Sequence, residues 1–141
     1  MADFYTHFSC LLDVGSPDNA ARALDLYQAF MEDAAREEVP SEGFLLSVQP
    51  DLGATKLWIH DDATGDPQQA IDFVLRCAEA FALTGRWGFQ WANTCSRPRI
   101  DAFGGGAHVL DLAKRTTVAW TDTNGWLART LTPARRKGGA R

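Results

Sequence analysis

Along residues 4–14 the apolar positions Phe4, Phe8, Cys10, Leu12 and Val14 share one phase, and Tyr5, His7, Ser9 and Asp13 occupy the other. A two-residue period places alternate side chains on opposite faces, so this stretch predicts a half-buried strand. The period then changes. Ser16-Pro17-Asp18 offers a hydroxyl cap, a proline where no amide donor is needed and an acid beside unpaired N–H groups. The helix that follows should run to about Arg36, with Ala20, Leu24, Tyr27, Met31 and Ala34 on its core face.

Residues 43–49 and 54–60 are short runs rich in Phe, Leu, Val, Trp and Ile, and Pro50-Asp51-Leu52-Gly53 between them suits a tight turn, which predicts a hairpin. A polar loop, 61–65, leads to Asp66-Pro67-Gln68-Gln69. Here the aspartate should cap a second helix while Gln69 reaches back to it. That helix is expected to about Leu83, burying Ala70, Ile71, Val74, Ala78 and Phe81 and closed by Gly85. A strand over 88–94, a hairpin of 107–112 with 116–121 turning at Ala113-Lys114-Arg115, and a short helix from Thr123 to Leu131 complete the pattern.

The first six elements follow the order strand, helix, strand, strand, helix, strand. This predicts an α+β fold with a ferredoxin-like βαββαβ core, one mainly antiparallel sheet and two helices on one face. The length of 141 residues and 45% hydrophobic content fit a single domain over 1–132. Arg135, Arg136, Lys137 and the glycines after them predict a disordered basic tail over 133–141.

Net charge is −4, but the distribution is uneven: residues 1–79 carry 15 acidic and 4 basic groups, while 80–132 carry 3 acidic and 6 basic. Such asymmetry bears on partners rather than on fold. Asp25, Asp33, Glu37, Glu38 and Glu42 form an acidic surface that could stand in for nucleic-acid phosphate before a basic groove. The plainer reading is a solvated face. Cys10, Cys77 and Cys95 are odd in number and widely spaced, which fits reduced, buried thiols and a cytoplasmic location. No apolar run spans a bilayer and the first residues do not form a signal peptide.

Residues 87–108, WGFQWANTCSRPRIDAFGGGAH, concentrate the unusual chemistry. Trp87, Arg97, Arg99, Asp101, Phe103, Gly104, Gly105 and Gly106 are the expected binding residues, with Trp91 assigned to the core. Three arginines on an acidic body are too few for a nucleic-acid footprint, so direct nucleic-acid binding is not expected. The glycine run lacks both the G-K-[ST] ending and the G-x-G-x-x-G spacing of nucleotide loops, and a close backbone approach explains it better. His60-Asp61-Asp62 has metal-ligand chemistry, but adjacent residues of an extended chain diverge. Only His60, Asp62 and His108, with Asp101 or Asp111 brought near, could make a metal site, and none is expected. His7-Phe8-Ser9 matches one H-x-S motif of the two-histidine phosphoesterases, and its required twin is missing. Neither a catalytic signature nor a cofactor motif emerges.

WGFQWANTCSRPRIDAFGGGAHV and the opening FYTHFSCLL resemble segments of small uncharacterised proteins encoded on bacterial plasmids, phages and prophages. That resemblance implies a mobile-element setting, where compact acidic proteins often inhibit host defence. The expected function is therefore a non-enzymatic interaction protein, an anti-CRISPR-like or other anti-defence inhibitor, whose partner is a host complex handling nucleic acid. Two alternatives stand beside it. One is a small-molecule or nucleotide-binding module or metal-assisted hydrolase with its pocket at 60–62, 97–101 and the glycines. The other is a structural homodimer joined through an edge strand.

Overall fold

The computed structural model describes residues 2–36, 43–100 and 102–133. Seven strands and three helices are arranged as an α+β fold: β1 (Phe4–His7), β2 (Ser9–Asp13), α1 (Pro17–Ala35), β3 (Leu45–Ser47), β4 (Lys56–His60), α2 (Pro67–Ala80), β5 (Arg86–Cys95), β6 (Gly104–Asp111), β7 (Thr116–Asp122) and α3 (Thr123–Leu131). The strands form two antiparallel sheets, ordered β1-β5-β6-β7 and β2-β4-β3. The expected single sheet is thus divided. One extended segment supplies β1 to the first sheet and β2 to the second, changing partners at Phe8.

Loop 61–65 completes the backbone bonding at that change. Thr6 donates its N–H to the Thr64 hydroxyl at 2.9 Å and accepts from the Gly65 amide, also at 2.9 Å. Asp61 takes the Phe8 N–H with Oδ1 at 2.9 Å and returns its own N–H to the Phe8 carbonyl at 3.1 Å. A loop expected to be a solvated acidic turn therefore supplies the bonds that a neighbouring strand would otherwise make, since buried amides require partners.

The core draws on both sheets and on α1 and α2. Phe73 of α2 lies at its centre, with ring centroids 5.9 Å from Tyr27, 5.7 Å from Phe30 and 5.5 Å from Phe44. Of the expected core face of α1, Ala20 is buried and Tyr27 and Met31 pack against the core, but Leu24 is exposed and Ala23 and Phe30 are buried in its place. On α2 the expected Ala70, Ile71, Val74 and Ala78 are joined by Phe73 and Cys77. Burial pushes the Cys10 and Cys77 thiols up to about 12, which leaves them as packing groups without thiolate reactivity.

The helix ends follow local chemistry. Ser16 caps α1 by accepting from the Asn19 amide. Asp66 caps α2 by accepting from Gln68 and Gln69, but its own amide goes to Gly43, so the side chain of Gln69 does not close the expected reciprocal box. The Gln69 Oε1 is buried without a hydrogen-bond partner. Ala82 takes a left-handed conformation directly after α2, where the Leu83 amide reaches back to the Ala78 carbonyl. Gly85, expected to close the helix, has positive φ three residues later, just before β5. The cap of α3 is Asp122, one residue before the expected Thr123. Among the described residues no helix is long and apolar enough to cross a membrane.

Candidate functional site

The stretch 87–108 separates into a packed hairpin and an exposed loop. Gly104, Gly105 and Gly106 lie inside β6, opposite Asn93, Ala92 and Trp91, and none has positive φ. Each is a point of close approach. A Cβ on Gly106 would come 2.3 Å from the Trp91 indole, one on Gly105 would meet the Trp91 carbonyl at 2.4 Å, and one on Gly104 would meet the Asn124 amide of α3 at 1.9 Å. The run therefore packs an indole, a strand and a helix against β6 and does not form a ligand-cradling loop.

Trp87, expected as an exposed contact, is half-buried: it stacks on Phe89 at 5.2 Å and donates its indole N–H to the Leu11 carbonyl at 2.8 Å, tying β5 to β2. Trp91, expected in the core, is also half-buried and lines a cleft.

Arg97 and Arg99 are exposed on loop 96–103, as is Ile100 at 93%, and Asp101 lies outside the described residues. Phe103, half exposed, shares a surface cleft with Thr123, Asn124 and Leu127 of α3. This joins the loop to a larger surface. β7 is the edge of the four-stranded sheet and is exposed over Thr116–Thr121. α3 buries none of its residues and presents Trp126 at 57%, Leu127 at 51% and Leu131 at 72% exposure. Sequence periodicity alone missed this, because an apolar stripe on a helix reads the same whether or not its own chain covers it.

A second cleft, about 480 Å³, opens between the first turn of α2 and the inner face of the four-stranded sheet. Pro67 and Ile71 line it from the helix, and Trp91, Asn93, His108 and Trp120 line it from three strands. The register puts Trp91 opposite Gly106 and His108 opposite Trp120, so these side chains share one face. The Thr6 hydroxyl donates to Asn93 Oδ1 at 3.0 Å. His108 Nε2 lies 2.8 Å from the Thr117 hydroxyl, and burial holds its pKa below the ordinary histidine value. Residues 60–62, Arg97, Arg99 and the glycines, expected to form a pocket, do not line this cleft.

His60, Asp61 and Asp62 diverge. His60 stacks on Trp58 at 3.9 Å, Asp61 faces His7 and Phe8, and Asp62 bridges to Thr64. Among the described residues no three His, Cys, Asp or Glu side chains converge to hold a metal ion. His7 lies between Asp61 Oδ2 at 2.9 Å and the Thr94 hydroxyl at 3.2 Å, a polar chain linking loop 61–65 to β1 and β5. Ser9 accepts from the Trp58 indole, so both polar members of the H-x-S motif are engaged within the fold.

Of the acidic surface, Asp25 is exposed. Asp33 lies 3.5 Å from Arg36 and 3.9 Å from Arg76, which offsets part of its charge, while Glu37, Glu38 and Glu42 lie outside the described residues. No protein-family model, curated protein or solved structure matches the chain.

Proposed function

We propose that this chain is a non-enzymatic protein-interaction module that docks through β7, α3 and loop 96–103. The observation that carries this reading is α3, a nine-residue helix that buries nothing while holding Trp126, Leu127 and Leu131 in solvent. So short a helix gains little from propensity alone, and most helical stability in proteins comes from packing an apolar face. Covering that face would recover about 25 cal/mol for each Å² of apolar surface removed from water. The adjacent edge of β7 offers unpaired backbone groups to an extended segment, the other half of a protein-docking surface.

The partner we propose is a host defence complex that handles nucleic acid, which this chain inhibits in a mobile-element setting. The acidic N-terminal half supports that partner, and the likeness of 87–109 to plasmid and phage proteins is part of the same proposal. The test is to express the full chain in a bacterium with an active CRISPR or restriction system and measure phage plating. Restored plating that is lost in the Trp126→Ala/Leu127→Ala double variant, with folding checked by circular dichroism, is the expected result. A folded wild-type chain that protects against none of the systems tried overturns the inhibitor reading.

The same open edge favours one other occupant, a second copy pairing β7 with β7 about a two-fold axis. Light scattering distinguishes this arrangement: a constant dimer mass that falls to monomer in Val118→Pro selects the homodimer.

A further inference from the structure

We infer that the cleft between α2 and the inner face of the four-stranded sheet binds a small planar heteroaromatic molecule lacking phosphate, of the nucleobase or nucleoside class. This site meets the β7–α3 docking surface only at Trp120 of β7, and the inference does not depend on that surface having a partner.

The walls select for a flat ring. Trp91 lies against β6 where Gly106 leaves no side chain, and a Cβ there would overlap the indole at 2.3 Å. Trp120 stands two strands away on the same face and is 65% exposed although it lines the cleft. Two indoles kept beside a cavity supply stacking surface, which for bases on aromatic side chains is worth about 1–3 kcal/mol each. A volume of about 480 Å³ is within the usual range of small-molecule sites, roughly 300–1,000 Å³, so there is room for more than one ring.

The polar groups are few and oriented. Asn93 has its oxygen engaged by the Thr6 hydroxyl, and among the described residues its Nδ2 has no partner and is available as a donor. His108 has Nε2 engaged by Thr117, which leaves Nδ1 for a ligand. A fixed amide donor and a ring nitrogen between aromatic walls match the alternating donor and acceptor edge of a heterocyclic base. They offer nothing specific to a plain hydrocarbon.

Charge excludes the phosphorylated forms. Among the described residues neither lysine nor arginine lines the cleft. The N-terminus of α2, where an anion would otherwise be welcome, is already taken by Asp66, whose carboxylate accepts the Gln68 and Gln69 amides at 2.9 and 3.4 Å. A phosphate would meet that carboxylate with no cation from the described lining to offset it.

The test uses the full chain and four probes, adenosine, guanosine, cytidine and uridine, each paired with its 5′-monophosphate. Binding is followed by tryptophan fluorescence and by amide NMR. At least one nucleoside should bind saturably, shift the resonances of Thr6, Asn93 and His108, and bind on the order of tenfold more tightly than its monophosphate, the cost of a phosphate near one uncompensated carboxylate. Trp120→Ala, at an exposed position, should keep the thermal midpoint and abolish the fluorescence response. Asn93→Ala should weaken binding by about tenfold, the effect of one lost hydrogen bond. The assignment is overturned if no nucleoside shifts these resonances at millimolar concentration, if the monophosphate binds more tightly, or if Trp120→Ala binds like the wild type.

Discussion

Asp61 and Phe8 exchange two hydrogen bonds, the Phe8 amide to Asp61 Oδ1 at 2.9 Å and the Asp61 amide to the Phe8 carbonyl at 3.1 Å, where the first extended segment passes from one sheet to the other. Phe8 is buried, so without these bonds its backbone would lose water and gain nothing. The other carboxylate oxygen of Asp61 accepts from His7 Nδ1 at 2.9 Å. Asp61→Ala keeps the backbone bond but orphans the Phe8 amide and one nitrogen of His7. Losing hydrogen bonds to a charged group in a mostly buried place should cost about 2–3 kcal/mol, read as a lower urea midpoint at unchanged slope.

The acid limb of stability should have two separable parts. Burial pushes the Asp61 carboxyl up, but the bonds from His7 and Phe8 together outweigh it, so the folded pKa lies below the ordinary value. Its contribution is therefore complete above the unfolded carboxylate pKa of about 3.9 and is lost as pH falls through the folded value. His108 is lowered by burial, so the unfolded chain takes up a proton first, and stability declines as pH falls through about 6.5. Urea midpoints measured from pH 8 to pH 3 should lose the upper step in His108→Gln and the lower step in Asp61→Asn. An unchanged profile in both variants contradicts the assignment.

Local signals were legible wherever the determinant lay within a few residues. Ser16 and Asp66 cap their helices because an acceptor followed by proline works through nearby amides. The turn of the β6–β7 hairpin likewise uses Arg115 with positive φ, and Asp111 accepts from the Lys114 amide. What stayed hidden depended on distant partners. The even-numbered phase of residues 4–14 predicts one buried face, yet Phe4, paired with Cys95 at the end of β5, is 61% exposed while Phe8, where the segment changes sheets, is buried against Phe89. Gln69 is placed for a capping box, but Gly43, 23 positions away from Asp66, takes the amide it would have served. The candidate cleft was hidden for the same reason. Trp91 and Trp120 each read as ordinary strand residues, and only the register of three strands sets them with Asn93 and His108 on one face.

Two alanines occupy backbone conformations that disfavour a β-carbon. Ala63 has φ 64° in the loop that stitches Phe8, and Ala82 has φ 50° at the end of α2, where glycine is the usual residue. The left-handed region costs a non-glycine residue roughly 1–2 kcal/mol, and glycine gives back part of that gain through the greater freedom of the unfolded chain. Ala82→Gly should therefore raise stability by about 0.5–1 kcal/mol, and Ala63→Gly should do the same. Thermal midpoints of the two variants and their combination check this, and the effects should add because the sites share no partner.

The glycine run of β6 predicts an asymmetry between two substitutions of equal size. At Gly106 a methyl group would meet the Trp91 indole at 2.3 Å and the Thr121 carbonyl at 2.9 Å, a ring held across the strand and a backbone held in the β6–β7 ladder. Neither can move without disturbing the sheet. At Gly104 the obstruction is the Asn124 side-chain amide at 1.9 Å, the end of a flexible group on exposed α3 that can turn away at the loss of its bond to the Phe103 carbonyl. Gly106→Ala should thus cost about 1–3 kcal/mol through overpacking and shift the tryptophan emission as Trp91 is displaced. Gly104→Ala should cost no more than the roughly 0.5–1.5 kcal/mol of one hydrogen bond, and adding Asn124→Ala should recover none of it because the bond is already gone. If Gly104→Ala proves the costlier of the two, α3 is held against β6 more firmly than its exposed side chains indicate.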